Sequence, residues 1–466
     1  MNLVSIQDIY QKKIKINTVV IIQGWIRSRR DSKLGFSFLN IYDGSSVFSL
    51  QVIVSSDVKN YYNEILKLTT GCSVIVIGTL IFSKGIKQIY EINADAIKVL
   101  GWVQEKSQYP ISLKKHTFEY LREFAHLRPR TNIFGVVSRL RHHLAHTMHY
   151  FLHKSDFFWV PTPIITSLNA EGAGNMFKVS SSEISDQFKH YGKTLLHTKD
   201  FFKTESFLTV SGQLTLETYA CALSKVYTFG PTFRAENSNT SRHLSEFWML
   251  EVEQSFVNLE KIINFSESML KFIFKAMLNK CLSEFEFLEQ KLNTQLIDRM
   301  NQFITKGFIH IDYAEAVNIL KKSSTSYKNT VDWGIDFTVE HERFLAEKYF
   351  MQPIVIKNYP KELKAFYMRL NKDEKTVAAM DVIVPIIGEL VGGSQREERL
   401  SILDQRLIDF KLTIKDYWWY RDLRKYGTVP HSGFGLGFER LLCYITGLKN
   451  VRDVIPFPRT PNNANF

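Results

Sequence analysis

The sequence predicts an α+β protein in two unequal parts, and three observations carry that expectation. Short β-prone runs separated by turn signals fill residues 17–100. A helical pattern over residues 130–153 then leads into an apolar, strand-like run at 157–160. Beyond it, helices and turn-marked strands follow one another without the regular strand–helix rhythm of a doubly wound sheet. That order predicts an antiparallel sheet flanked by helices.

Five β-runs are expected at 18–26, 36–41, 48–54, 73–82 and 88–99, with turns at Asp43-Gly44-Ser45 and Lys84-Gly85. Residues 58–68 have helical spacing. Five strands with a helix between the third and fourth match an OB-fold barrel, a frequent binder of single-stranded nucleic acid. Residues 1–102 are expected to form that barrel. A polar linker around Pro110 occupies 103–128, and the larger domain spans 129–466. Residues 261–282 are amphipathic at helical spacing and read as a core-facing helix.

Bulk properties narrow the class. A chain of 466 residues with 45% hydrophobic content can bury two cores. The net charge of +12 favours a polyanionic partner such as nucleic acid, although a lysine-rich genome produces the same excess. Cys72, Cys221, Cys281 and Cys443 are scattered without a C-x-x-C pair, which argues against structural zinc and a disulfide framework. No run is long enough to span a bilayer, and the start of the chain has no charged-then-apolar signal, so the expected compartment is the cytoplasm.

Two patterns are decoys. Gly192-Lys193-Thr194 resembles the end of a P-loop, but Gln187 stands where the first glycine belongs. His142, His146, His149 and His153 share a helix face, yet no nearby carboxylate or thiol completes a zinc site. They read as a solvated or half-buried face.

The chemistry concentrates in three stretches. Gly433-Phe434-Gly435-Leu436-Gly437-Phe438-Glu439-Arg440 is a glycine-alternating strand running into a helix that begins with an arginine. Such a strand admits close backbone approach, and a guanidinium suits phosphate oxygens. Phe233-Arg234-Ala235-Glu236 offers a second arginine followed by a carboxylate, and a polar loop runs from it to His243 and Phe247. Phe247 and Trp248 alternate, so one of them faces the core. The third stretch, Asp381 with Glu389-Leu390-Val391-Gly392-Gly393-Ser394-Gln395-Arg396, supplies two carboxylates suited to a hard cation, although a buried salt bridge explains Glu389 and Arg396 equally well.

Together with Pro163 after the run at 157–160, these stretches stand in the order of the three signature motifs of class II aminoacyl-tRNA synthetases. The chain resembles the aspartate/asparagine/lysine subgroup, and within it the bacterial asparaginyl enzymes, over nearly its whole length. Further carriers are Glu171-Gly172-Ala173-Gly174, Ser211-Gly212-Gln213-Leu214, Arg242-His243-Leu244-Ser245-Glu246-Phe247 and Arg452-Asp453-Val454-Ile455-Pro456-Phe457-Pro458-Arg459. The resemblance implies a class II catalytic domain behind an OB-fold anticodon-binding domain. It implies that Arg234 and Arg440 bind the α- and γ-phosphates of ATP, that Glu236 and Phe247 hold adenine, and that His243 lies near the terminal phosphates. By the same resemblance Asp381 and Glu389 carry magnesium, Glu171 and Gln213 bind the α-amino group, and Arg396 takes the side-chain carbonyl. Arg29, Arg30, Phe38 and Gln51 would meet the anticodon, and Pro163 a homodimer interface. From the residues alone, Phe36 and Phe38 share one strand face and read as barrel core.

The amino acid requires a separate argument. Aspartyl relatives carry a lysine where this chain has Leu216, and an aspartate where it has Glu251. An acceptor-only carboxylate pairs with an amide NH₂ and repels a substrate carboxylate. Asparagine is therefore the expected substrate, with tRNA(Asn) the acceptor, and bulky Leu216 is expected to reshape the pocket. The chain departs from its relatives at Val252, where a proline is usual. Three rivals remain open at this point: an ammonia-dependent asparagine synthetase, a non-catalytic RNA-binding paralogue, and aspartyl or dual specificity.

Overall fold

Alternating apolar residues on long strands close the N-terminal part into a barrel. The computed structural model describes residues 2–85, 88–170, 175–181, 200–325, 327 and 330–466. The chain divides into one unit of residues 1–139 and another of 140–466.

In the first unit, β1 (Asn2–Leu3), β2 (Val19–Ser32), β3 (Phe36–Tyr42), β4 (Leu50–Ser55), β5 (Ser73–Phe82) and β6 (Tyr90–Gly101) lie in the order β1-β2-β3-β4-β6-β5, and β2 also pairs with β5. That last pairing closes the barrel. The 14 residues of β2 reach both partners. Residues 19–25 pair with β5, and residues 25–32 with β3. Inward-facing Val20, Ile22, Leu39, Ile41, Val52, Val74 and Val76 are fully buried. The helix expected at 58–68 is instead a series of turns ending in a 3₁₀ turn at Ile65–Lys67. Its apolar spacing is real, since Tyr61, Ile65 and Leu68 enter the barrel core. Its bonds are nevertheless mixed in span, from Tyr61 N–H to Val58 O and Leu68 N–H to Ile65 O up to Leu66 N–H to Tyr61 O, so no regular α-helical ladder forms.

The second unit is built on an eight-stranded sheet. Three short strands, β8 (Ile165–Thr166), β9 (Lys178–Val179) and β10 (Ser206–Leu208), form a separate small sheet. The large sheet comprises β7 (Phe158–Trp159), β11 (Lys225–Phe233), β12 (Glu246–Ser255), β13 (Ile309–Asp312), β14 (Ile354–Pro360), β15 (Thr376–Val384), β16 (Gly388–Gln395) and β17 (His431–Gly437). Its order is β13-β14-β15-β16-β17-β12-β11-β7. The six central strands are antiparallel, as expected, and parallel pairs occur only at the margins, β13 with β14 and β7 with β11.

Helix Leu259–Lys280 begins at Asn258, whose side chain accepts from Lys261 N–H, and buries Ile262, Met269, Leu270, Ile273 and Met277. It packs on β15 and β17 of the sheet and against the helices Leu282–Leu292 and Leu296–Thr305. The run at 157–160 is only partly the buried strand expected. Phe157 and Val160 are buried, while Phe158 and Trp159 are 58% and 54% exposed, because β7 is an edge strand paired on one side. Among the described residues, no helix is long and apolar enough to cross a membrane.

Candidate active site

Strand alternation sorts the central sheet into a core face and a site face. On β12, Phe247, Met249, Glu251 and Glu253 line a pocket, while Leu250 and Val252 are fully buried. Phe247 is thus the pocket residue of its pair, and Trp248 packs against Phe229 with ring centroids 5.1 Å apart. On β17, Leu436 is a core residue, Gly435 and Gly437 line the pocket, and the buried Phe434 borders it as well. Gly433 has a different purpose from ligand approach. A Cβ there would lie 2.2 Å from the Glu253 carboxyl carbon and 2.3 Å from Val252 O, so the missing side chain makes room for Glu253.

Arg234, Glu236, His243, Phe247, Glu389 and Arg440 all line this one pocket. The Arg234 guanidinium carbon stands 5.5 Å from the Phe247 ring centroid. Arg440 donates through Nη1 to Glu389 Oε2 at 3.1 Å and to Glu389 O at 3.2 Å. Burial holds the His243 imidazole below its usual range, reinforced by Arg440 and Arg242, so it is neutral near pH 7. Its Nδ1 meets Ser238 Oγ at 2.6 Å and Thr240 Oγ1 at 3.0 Å.

Asp381 and Glu389 meet at Gly392. A Cβ at that glycine would lie 3.1 Å from Glu389 Oε1 and 3.5 Å from Asp381 Oδ1. Burial raises Asp381 against the pull of Lys364, whose Nζ donates to Oδ2 at 2.6 Å. Burial also opposes ionisation of Glu389, but Arg440 and Lys364 outweigh it and hold Glu389 below its ordinary value. Among the described residues no three His, Cys, Asp or Glu side chains form a complete metal-ligand set. Two oxygen-donor carboxylates therefore fit a hard cation that is shared with phosphate oxygens and water, not one caged by protein alone. The face of His142, His146, His149 and His153 likewise forms no such set, and His149 Nδ1 pairs with Tyr227 OH at 2.8 Å.

Gln213, which lines the same pocket, opens helix Gln213–Leu223. Glu251 accepts from Ser211 Oγ and, at 2.9 Å, from Gly212 N–H. These contacts hold an acceptor-only group in the pocket wall. Arg396, 2% exposed, grips Glu253 with Nε and Nη2 and donates to Ser394 Oγ at 2.7 Å. The bidentate grip favours the ionised pair against burial, which pushes the Glu253 carboxyl up to about 7. Leu216 corrects an expectation. It is fully buried with Val160, Ala220 and Val226 and does not line the pocket, so its bulk fills core and reshapes nothing there. Glu171 and the 187–194 decoy lie outside the described residues. Three residues carry no sequence signal: Lys364 and Tyr367, which line the pocket from a loop with no motif to announce it, and Glu217, which accepts from Gln213.

In the barrel unit, Arg30, Phe38 and Gln51 come together on β2, β3 and β4. Arg30 lies across from Phe38, with its guanidinium 5.7 Å from the ring, and its Nη2 donates to Gln51 Oε1 at 3.3 Å. Gln51 Nε2 donates to Glu91 at 2.8 Å. Phe36 and Phe38 do share a face, but it is the outer one. Ser37, Leu39 and Ile41 point inward, which corrects the barrel-core reading of Phe38. Arg29 is committed elsewhere, donating to Ile65 O at 3.0 Å and pairing with Asp31 at 3.2 Å.

These features can be set beside known proteins. The family described as tRNA synthetases class II (D, K and N) matches residues 118–461. The chain belongs to that family. An OB-fold nucleic acid binding domain matches residues 20–100. The chain is 60% identical over 466 residues, the full length of both, to a protein of Buchnera aphidicola subsp. Acyrthosiphon pisum named asparagine–tRNA ligase. It is 56% identical, again over both full lengths, to one of that name from Klebsiella pneumoniae. Among solved structures it is similar to asparaginyl-tRNA synthetase from Pyrococcus horikoshii complexed with asparaginyl-adenylate, with a TM-score of 0.86 and 30% identity, covering 99% of this chain and 98% of that one.

Proposed function

We infer that the chain is an asparagine–tRNA ligase. It activates L-asparagine with ATP to asparaginyl-adenylate and pyrophosphate, then esterifies the 3′ end of tRNA(Asn) and releases AMP. The observation that carries the amino acid is Glu251, an acceptor-only group held by Ser211 and Gly212 in the wall of the pocket that Arg234 and Arg440 also line. An asparagine carboxamide brings a donor to such a group, and an aspartate brings a like charge. A site built for a donor rejects the analogue lacking it by about 10⁴–10⁵.

In this reading Arg234 holds the α-phosphate and neutralises charge that grows as the asparagine carboxylate attacks phosphorus in line. Arg440 holds the γ-phosphate, its fork aimed by Glu389. Adenine stacks on Phe247 and is read by Glu236, with neutral His243 near the terminal phosphates. Gln213 and Glu171 receive the α-ammonium, and Arg396 faces the side-chain carbonyl while remaining paired with Glu253. Asp381 and Glu389 would hold Mg²⁺, which when bound screens the triphosphate. No side-chain nucleophile is required, because positioning and charge supply the acceleration.

Arg30, Phe38 and Gln51, with Arg29 behind them, would meet the anticodon within a barrel domain of residues 1–102, joined through a linker at 103–128 to the catalytic domain at 129–466. Exposed Phe158 and Trp159 on edge strand β7, followed by exposed Pro163, suit the contact surface of a homodimer. We place the enzyme in the cytoplasm, with its tRNA. ATP–pyrophosphate exchange with asparagine and aspartate side by side tests the reading. Exchange should depend on asparagine, and faster exchange with aspartate would overturn the substrate assignment.

A further inference from the structure

Beneath the amino-acid end of the pocket lies a carboxylate that none of the steps above uses. Glu217 stands one helical turn after Gln213 and is fully buried. Its Oε1 accepts from Gln213 Nε2 at 3.0 Å. Its Oε2 accepts from Arg424 Nη2 and meets His431 Nε2, each at 2.9 Å. The Tyr420 hydroxyl reaches the same carboxylate at 2.8 Å. Burial alone would raise Glu217, but Arg424, His431 and Arg396 outweigh it and keep the group ionised.

An ionised carboxylate only accepts, whereas a glutamine carboxamide has a donor end and an acceptor end. Gln213 must therefore turn its NH₂ toward Glu217, since the opposite flip would press two acceptors together in a dry site. Its oxygen is then left for the pocket that Gln213 lines. We propose that Glu217 is a positioning residue for the amino-acid substrate, fixing the Gln213 carboxamide so that it presents only an acceptor to the α-ammonium. The proposal rests on the reading of Gln213 as an amino-group ligand. A purely structural Glu217 would tie helix Gln213–Leu223 to Arg424 and leave the two substrates equally affected.

A double-mutant cycle on the full chain separates these roles, with asparagine and ATP varied independently in pyrophosphate exchange for wild type, E217Q, Q213A and E217Q/Q213A. The amide introduced by E217Q can donate or accept, so it no longer dictates which way Gln213 faces. E217Q should raise the asparagine KM about tenfold, the equivalent of about 1.4 kcal/mol, while the ATP KM stays within about twofold. In the Q213A background E217Q should add nothing. Additive effects, or the two KM values rising together, would overturn the proposal and leave the Gln213 reading standing. An unchanged asparagine KM in Q213A would overturn that reading and the proposal with it. If E217Q fails to fold, Y420F, which keeps the charge and removes one donor, should raise the asparagine KM about threefold with the same split; an unchanged value would contradict the proposal.

Discussion

Arg440 holds Glu389 twice, through its backbone carbonyl at 3.2 Å and its carboxylate at 3.1 Å. The contact ties the head of helix Phe438–Thr446 to β16, so an arginine of the site is oriented by one of the two carboxylates that meet at Gly392. R440A should lower asparagine-dependent exchange by about 10²–10³. E389Q keeps an acceptor on Arg440 but removes charge, and should raise the ATP KM more than the asparagine KM. Steady-state exchange kinetics measure both, and equal shifts in the two KM values would contradict the assignment.

Arg234 sits beside Phe247 on the site face. R234A should abolish asparagine-dependent exchange while leaving the unfolding midpoint near that of wild type. Near-normal exchange would refute its place on the α-phosphate.

Glu217 is ionised in the fold below its ordinary value of 4.5, because Arg424, His431 and Arg396 overcome its burial. The sign follows from linkage. As pH falls through about 4.5 the unfolded chain takes up this proton first, so stabilisation present above that pH is progressively lost. Urea unfolding between about pH 5.5 and 4 should therefore show a shallower loss of stability for E217Q than for wild type. An equal or steeper slope in E217Q would show that Glu217 contributes nothing to the acid response.

Gly433 leaves space that Glu253 occupies, and the clash of an added Cβ involves the Val252 backbone as well, so the side chain cannot simply swing away. G433A should destabilise the catalytic unit by about 1–3 kcal/mol. Thermal unfolding would detect it, and an unchanged midpoint would mean the sheet yields more easily than its pairing with β12 and β16 suggests.

On the barrel, Phe38 lies on the outer face opposite Arg30. Stacking on an unpaired base is worth about 1–3 kcal/mol, so F38A should reduce tRNA charging efficiency about 5–150-fold. Pyrophosphate exchange, which needs no tRNA, should be unaffected. A matching loss in both assays would place the effect in folding.

The architecture was legible because period-two alternation and turn residues survive in sequence. The strands at Phe36–Tyr42 and Ser73–Phe82 lie within a residue of where the pattern put them. The helix expected at 58–68 failed because apolar spacing of three and four residues serves a chain of tight turns as well as a helix. Phe38 was misread from the residues alone because alternation identifies a face without saying which face is inside. In the active site, the arginines and glycines announced themselves through motifs. Lys364, Tyr367 and Glu217 did not, since their significance arises only when distant segments meet; Glu217 and His431 are 214 residues apart.

The measurement closest to the central claim is aminoacylation of tRNA by the purified chain with ATP, Mg²⁺ and labelled asparagine or aspartate in parallel. Ester-linked asparagine should accumulate on tRNA with release of AMP, while aspartate gives little above background. Charging with aspartate in preference to asparagine, or no charging with asparagine at all, would contradict the account.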